Sequence, residues 1–404
     1  MIIHPVRLEQ EGGGVRLAAR IEAERGEPLP AAELWYEFPG ATAGDFSGSA
    51  DGFAAALVLL AMQRAEPLRV RGPVSAVLLR GLREYQQVFR AWFPEQFHVV
   101  EIACDEVRAA GPPVAPRGVA TAFSGGVDSS YTLLTHLPGR EPDPARRVDH
   151  ALFVHGFDIP LADTATFATA AATYARALGE HGVRLITART NVREFADLVG
   201  WELAHGSALG SVALLPDALL ARCYIPSSFP DSDLIPWGSH PVADPLLSSA
   251  TLQLIHDVCR PRFDKVAALA GWPPALSWLR VCWEQPHGSR NCCRCRNCLR
   301  TMIALDLAGV LKSCPTFPEP LEGARIRRMR LPPEDLTEVA TIELPRLRAA
   351  GRTALADDLQ AAVRASRRQL AGRRLYRGLR AAARRVLGRG SGSAAAPIAE
   401  PRQP

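Results

Sequence analysis

"AFSGGVDSSYTLL" (residues 122–134) decides how the rest of the chain is read. Its apolar lead-in, GVATAFS (118–124), reads as a buried strand, and SSYTLLTHL (129–137) reads as the start of a helix. Between them, Gly125 and Gly126 permit a tight turn that aims successive amide N–H groups inward as an anion nest. The following helix adds the positive end of its dipole. Ser124 and Ser129 bring hydroxyls that donate to phosphate oxygens, so Ser124, Gly125, Gly126, Val127, Asp128 and Ser129 form a candidate phosphate cradle. Asp128 would repel bare phosphate, and its place there is as a ligand for Mg²⁺ on a nucleotide. No lysine follows the glycines, as it would in a GxxxxGK[ST] loop. A plain strand–helix turn is the blander alternative. The whole string in that position is more specific than a lone glycine motif.

Outward from the loop, strand and helix patterns alternate. DHALFVHG (149–156), VRLITART (183–190) and RCYIPSS (222–228) read as further strands. LADTATFATAAATYARALGEHG (161–182) and ALGSVALLPDALLA (208–221) read as helices. That alternation predicts an α/β fold built on a doubly wound parallel sheet, with ligands at the C-terminal strand ends. Residues 1–112 read as a small N-terminal α/β domain. Its expected strands are VRLAARIEAE, ELWYEF and FHVVEIA (97–103), and its expected helices are DGFAAALVLLAMQRA and VSAVLLRGLREYQQVFRAWF. AAGPPVAPRG (109–118) is the expected linker. The second domain spans 117–312. A helical extension with a basic arm covers 313–389, with a helix start at PPEDLTEVA, and a disordered tail covers 390–404.

Composition narrows the class. The 404 residues are 47% hydrophobic and 22% charged, an ordinary globular balance. The N-terminus lacks a basic start followed by an apolar core, and the longest apolar run, FAAALVLLAM (53–62), is too short to span a bilayer. A soluble, cytoplasmic protein is expected. The net charge of +5 is uneven: ten arginines lie between Arg364 and Arg389 with no acid among them, which leaves −5 for the remainder. Apolar residues at roughly helical spacing run through this arm (Leu359, Val363, Leu370, Leu375, Leu379, Val386), so a helix packed on its own domain is the first reading. RNA and an anionic membrane surface are rival partners, with RNA not favoured because no RNA-binding motif accompanies the arm.

Five of the nine cysteines fall between Cys282 and Cys298, a metal pattern rather than a disulfide scaffold. Cys282, Cys292, Cys295 and Cys298 give C-x9-C-x2-C-x2-C, four thiolates able to close a tetrahedron around zinc. Cys293 is an alternative to Cys292, and an iron–sulfur cluster is an alternative to zinc.

The loop SGGVDS resembles the PP-loop of the ATP pyrophosphatase superfamily, an adenine nucleotide alpha-hydrolase-like group with a doubly wound (HUP-like) sheet. The cysteine layout, followed by Arg300, resembles the structural zinc site of 7-cyano-7-deazaguanine synthases. The resemblance covers 117–312; the long segments on either side depart from that family. It implies cleavage of ATP between its α- and β-phosphates, transfer of AMP to a carboxylate or amide oxygen, and displacement by ammonia or a sulfur nucleophile. ATP, Mg²⁺ and structural Zn²⁺ are the implied cofactors, a small molecule the substrate, and an ammonia or sulfur donor protein an open partner. A homo-oligomer is also left open. Asp128 and Lys265 are the implied catalytic pair, since Lys265 matches a lysine that faces the ATP phosphates, although a solvated surface lysine is an equal alternative. His155, after the second strand, matches a position near adenine or ribose, with Asp158 beside it. Trp237 and His240, in the Pro-rich stretch 226–245, are weaker substrate contacts on a wall or lid. Cys223 is the candidate for a sulfur-transferring alternative, and a non-catalytic nucleotide-binding protein is a third reading.

Overall fold

The computed structural model describes residues 1–26, 28–109, 117–257, 259–282, 284 and 291–387. The core of the expected linker (110–116) and the tail (390–404) lie outside the described residues. The first elements are β1 (Ile2–Ile3), β2 (Arg7–Glu11), β3 (Gly14–Glu22), β4 (Glu33–Pro39), α1 (Asp51–Arg64), β5 (Leu68–Ser75), α2 (Ala76–Trp92) and β6 (Ile102–Arg108). Then follow β7 (Gly118–Ala122), α3 (Val127–Thr135), β8 (His150–His155), α4 (Thr164–Gly179), β9 (Arg184–Thr190), α5 (Val192–Val199), α6 (Trp201–Leu214), β10 (Leu220–Ile225) and β11 (Gln253–His256). Helices α7 (Arg262–Ala270), α8 (Pro273–Trp278) and α9 (Arg296–Leu307) complete this part.

The strands form one sheet in the order β11-β10-β7-β8-β9-β4-β3-β1-β5-β6, with β2 paired to β3. Strands β7 to β11 are all parallel. Within this half the chain steps outward from β7 to β8 and β9, then crosses back to β10 and β11 on the other side of β7. Such a reversal of strand order opens a crevice outside the carboxyl ends of the central strands. The loop 122–129 leaves β7 at that point.

The expected boundary between 1–112 and 117–312 is bridged by the sheet. Strand β4 pairs antiparallel with β9, Tyr36 opposite Thr190 and Glu37 opposite Arg189. Side chains secure this seam: Trp35 N–H donates to Asn191 Oδ1 (3.0 Å), Asn191 Nδ2 to the Glu33 carbonyl (2.9 Å), and Arg189 to Glu37 (2.9 Å). Helix α1 packs on α5 and α6, and Gly52 lies so close to α6 that a Cβ there would come within 2.5 Å of the Ser211 carbonyl. The apolar run 53–62 is therefore a core helix, buried all round. One compact unit runs from Met1 to Leu321, and its hydrophobic core draws on residues from Met1 through Leu254. The sheet is accordingly mixed rather than wholly parallel, because β1 to β4 add antiparallel pairings.

Local departures have local causes. The FHVVEIA strand begins only at Ile102, since Val100 N–H is taken by Gln86 Oε1 (2.7 Å) and His98 N–H by the Met62 carbonyl (3.0 Å). The helix expected over 208–221 stops at Leu214, just ahead of Pro216, and β10 starts at Leu220.

A second compact unit begins at Glu322. It holds α10 (Gly323–Arg328), α11 (Pro333–Glu338), α12 (Leu344–Ala349) and the long α13 (Thr353–Leu387). Leu359 and Val363 of α13 are buried, while Arg364, Arg367 and Arg368 are exposed. The later side chains of the basic arm, with Leu375, Leu379 and Val386, lie outside the described residues. Among the described residues, no helix is long and apolar enough to cross a membrane.

Candidate functional site

The β7–α3 turn has the geometry its glycines predict. Gly125 sits at φ +74°, and a Cβ there would meet the Tyr174 hydroxyl at 2.1 Å, so glycine is required twice over. Gly126 caps α3 in an extended conformation. Tyr174 OH donates to the Ser124 carbonyl (3.1 Å), and Arg280 N–H donates to the Gly125 carbonyl (2.9 Å). Inside the loop, Ser124 N–H donates to Ser129 Oγ (3.2 Å), and Gly126 N–H to Ser124 Oγ (3.3 Å).

The loop faces a cavity of about 410 Å³. Ser124, Gly126, Val127 and Asp128 form its floor; Gly156, Phe157, Asp158 and Pro160 come from the turn after β8. Arg193 of α5, Arg262 of α7 and Arg280 just after α8 also line it, with Val281, Cys282 and Asn297. Three arginines against two aspartates make the lining net positive. Arg262 Nε and Arg280 Nε are buried and have no hydrogen-bond partner among the described residues. Arg262 keeps 17% side-chain exposure and donates through Nη2 to Thr301 Oγ1 (3.1 Å), so its free group, like that of Arg280, is the Nε–H. A buried donor left free is costly unless an acceptor completes it, and both side chains therefore fit a polyanionic ligand.

Lys265 is not a solvated lysine. It is 1% exposed, and Nζ donates to Asp128 Oδ1 (2.7 Å) and to the Ser227 carbonyl. Asp128 is also 3.6 Å from Arg262 and keeps 28% side-chain exposure toward the cavity. The expected pair is thus brought together, with Lys265 behind the carboxylate rather than on the cavity wall. Asp128 retains an open side for a cation, but its first partner is lysine.

His155 does not line the cavity. Its Nε2–H donates to the Pro160 carbonyl (2.8 Å) and its ring stacks on Phe167 at 4.4 Å; burial lowers its pKa. Ser129 is buried behind Ser124. Trp237 and His240 do not line this cavity: they pack against His205 and Phe229, and against Trp92. The Gly238 N–H to Glu202 carbonyl bond (3.0 Å) pins that stretch to α6. Cys223 lies in the sheet core at 0% exposure, and burial pushes its thiol up to about 12.

The thiol groups of Cys282, Cys292, Cys295 and Cys298 lie within 4.8 Å of one another. Cys295–Cys298 and Cys292–Cys298 sulfurs are 3.4 and 3.8 Å apart. A tetrahedron around zinc with bonds of about 2.3 Å has sulfur–sulfur edges of ~3.8 Å. The cluster thus has room for a single metal ion. A multi-iron cluster, whose thiolates bind different irons, needs them further apart. Cys293, at φ +57°, directs its thiol to the Asn291 carbonyl (3.5 Å), which selects Cys292 for the set. Hydrogen bonds shared with Cys295 and Cys298 lower the Cys282 pKa and raise theirs.

Sequence reading missed Arg262, Arg280 and Asn291. Asn291 Oδ1 accepts from Val281 N–H (2.8 Å) and Cys282 N–H (3.1 Å), and its Nδ2 donates to the Leu279 carbonyl (2.9 Å). No spacing marks these residues; Asn291 adjoining the cysteine run is the one available signal. No protein-family model, curated protein or solved structure matches the chain.

Proposed function

We propose that the chain is an AMP-forming synthase of the PP-loop ATP pyrophosphatase type. In this reading it adenylates a carboxylate or amide oxygen of a small molecule, releases pyrophosphate, and lets a nitrogen nucleophile displace AMP. The observation that carries the reading is the Ser124–Asp128 cradle at the strand-order reversal, opening on a cavity whose Arg262 and Arg280 hold unpartnered buried donors. The strand order of the parallel half supports the HUP-like fold that the loop implies.

The chain's own groups have distinct tasks. The start of α3 offers amide donors to phosphate oxygens. Arg262 and Arg280 carry the charge that collects on a departing pyrophosphate. Asp128, held by Lys265, presents a carboxylate edge suited to a magnesium ion on the nucleotide, which supplies further charge neutralisation when bound. Adenylation makes AMP the leaving group in place of oxide, dividing a difficult substitution into two easier ones. Zinc in the four-cysteine cluster has a structural role, since all four positions are protein thiolates. Sulfur transfer through Cys223 gains no support from a thiol that is fully buried and held protonated.

The test is product analysis with ATP, Mg²⁺, ammonium and pools of carboxylated metabolites. AMP with pyrophosphate, dependent on one pool, is the expected outcome. ADP with phosphate overturns it, and tight ATP binding without turnover favours a non-catalytic binding protein.

A further inference from the structure

Arg280 stands where three constraints meet. Its backbone N–H donates to the Gly125 carbonyl (2.9 Å), and its carbonyl lies 3.6 Å from where a Cβ on Gly126 would sit. The segment around it therefore forms the outer wall of the anion nest. Its guanidinium is 3% exposed, lines the cavity and has a buried Nε without a partner among the described residues. Nη2 forms an ion pair with Asp158 at 3.7 Å, a separation too long for a hydrogen bond, and the guanidinium also lies close enough to the Tyr174 hydroxyl to act on it.

The same segment is fastened to the cysteine cluster. Asn291 brackets Arg280 from both sides, bonding Leu279 before it and Val281 and Cys282 after it. Cys282 is one member of the four-thiol set, and Asn291 directly precedes another, Cys292. A metal ion drawing Cys282 and Cys292 together holds both ends of this bracket. Its loss removes one tie on the segment that carries Arg280 and the Gly125 contact, leaving the Asn291 hydrogen bonds and the Arg280 N–H bond to Gly125.

We propose that Arg280 is a pyrophosphate ligand of the cavity whose position is set by the metal in the cysteine cluster, so that metal occupancy controls polyanion affinity. This rests on the polyanion reading given above and adds the residue that couples the two sites. Arginine suits the task because its planar donors engage two phosphate oxygens at once and keep their charge. Lysine at this position would supply charge without the paired geometry.

The experiment is calorimetric titration of inorganic pyrophosphate, and separately of ATP, into the full chain, with zinc content and tryptophan fluorescence recorded for every sample. In zinc-loaded protein, Arg280→Ala is expected to weaken pyrophosphate binding at least ~10-fold, about 1.4 kcal/mol, with unchanged zinc content, and Arg280→Lys to weaken it less. Zinc removal is expected to weaken the parent chain by a similar factor and Arg280→Ala by less than about threefold, because the two changes act through one group. If Arg280→Ala does not fold, Arg280→Lys carries the comparison. If the stripped chain loses its fold, Asn291→Ala with zinc in place carries it, with weaker pyrophosphate binding expected at one zinc per chain. Parent-like binding by Arg280→Ala, or equal losses on zinc removal with and without Arg280, overturns this inference alone. A parent chain that binds neither pyrophosphate nor ATP overturns it together with the proposed function.

Discussion

The Asp128–Lys265 pair gives a test in which the two halves are unequal. Removing the carboxylate in Asp128→Ala leaves the Lys265 ammonium at 1% exposure with the Ser227 carbonyl as its remaining bond partner. An unpaired buried charge of that kind costs about 3–5 kcal/mol. Removing the ammonium in Lys265→Met leaves Asp128 with 28% side-chain exposure and Arg262 at 3.6 Å, so water and a second cation take over. The cost is then nearer that of a lost buried hydrogen bond, about 1–3 kcal/mol. The double variant leaves no stranded charge and is expected to be more stable than Asp128→Ala alone. Urea unfolding followed by tryptophan fluorescence reads the correct unit, because all seven tryptophans precede Glu322. If Lys265→Met costs as much as Asp128→Ala, or if the double variant costs the sum of the singles, the buried-pair reasoning is wrong.

Three further outcomes are expected. Gly125→Ala forces a side chain into φ +74° and onto the Tyr174 hydroxyl, and should lose about 1–3 kcal/mol in thermal or urea unfolding; Gly126→Ala, whose Cβ first meets Ser124 Oγ at 3.2 Å, should lose less. Metal analysis should find one ion per chain in Cys293→Ser and none firmly held in Cys295→Ser, because the Cys293 thiol faces the Asn291 carbonyl while Cys295 belongs to the four-thiol set. Asp51 is 3% exposed and burial raises its pKa from 3.8 to about 6, so its ionisation opposes folding. The favourable contribution of its protonated form is complete below about pH 4 and is lost as pH rises through about 6. Relative to Asp51→Asn, the parent chain should therefore lose about 3 kcal/mol over that window in urea titrations at successive pH values.

Elements governed by neighbours in the chain were legible from residue order alone. The strand, the Gly-Gly turn and the helix of 118–135 follow from apolar runs and glycine conformation, and they occur where expected. Four thiols within seventeen residues come together, three of them at the start of α9 or just before it, although residue order left Cys292 and Cys293 undecided. That choice fell to the backbone, which places Cys293 at φ +57° with its thiol turned to Asn291.

Pairings over long separations were not legible, because periodicity describes one face of an element and not what covers it. A Pro/Gly/Ala stretch near 112 reads as a domain boundary, yet the chain beyond it returns β9 to the edge of β4, where Asn191 and Arg189 find backbone and carboxylate partners more than 150 residues earlier. The cavity was hidden for the same reason. Arg193, Arg262 and Arg280 are spread over nearly ninety residues and look like ordinary surface charges until the sheet brings their elements to one rim. Residue order alone determined the strand–Gly-Gly–helix turn, the cysteine cluster apart from the choice between Cys292 and Cys293, and the alternating elements that carry them. Tertiary structure decided which cations face that loop, that Lys265 stands behind Asp128, and that the cysteine cluster braces the segment beside Gly125, since each depends on burial and on contacts between distant parts of the chain.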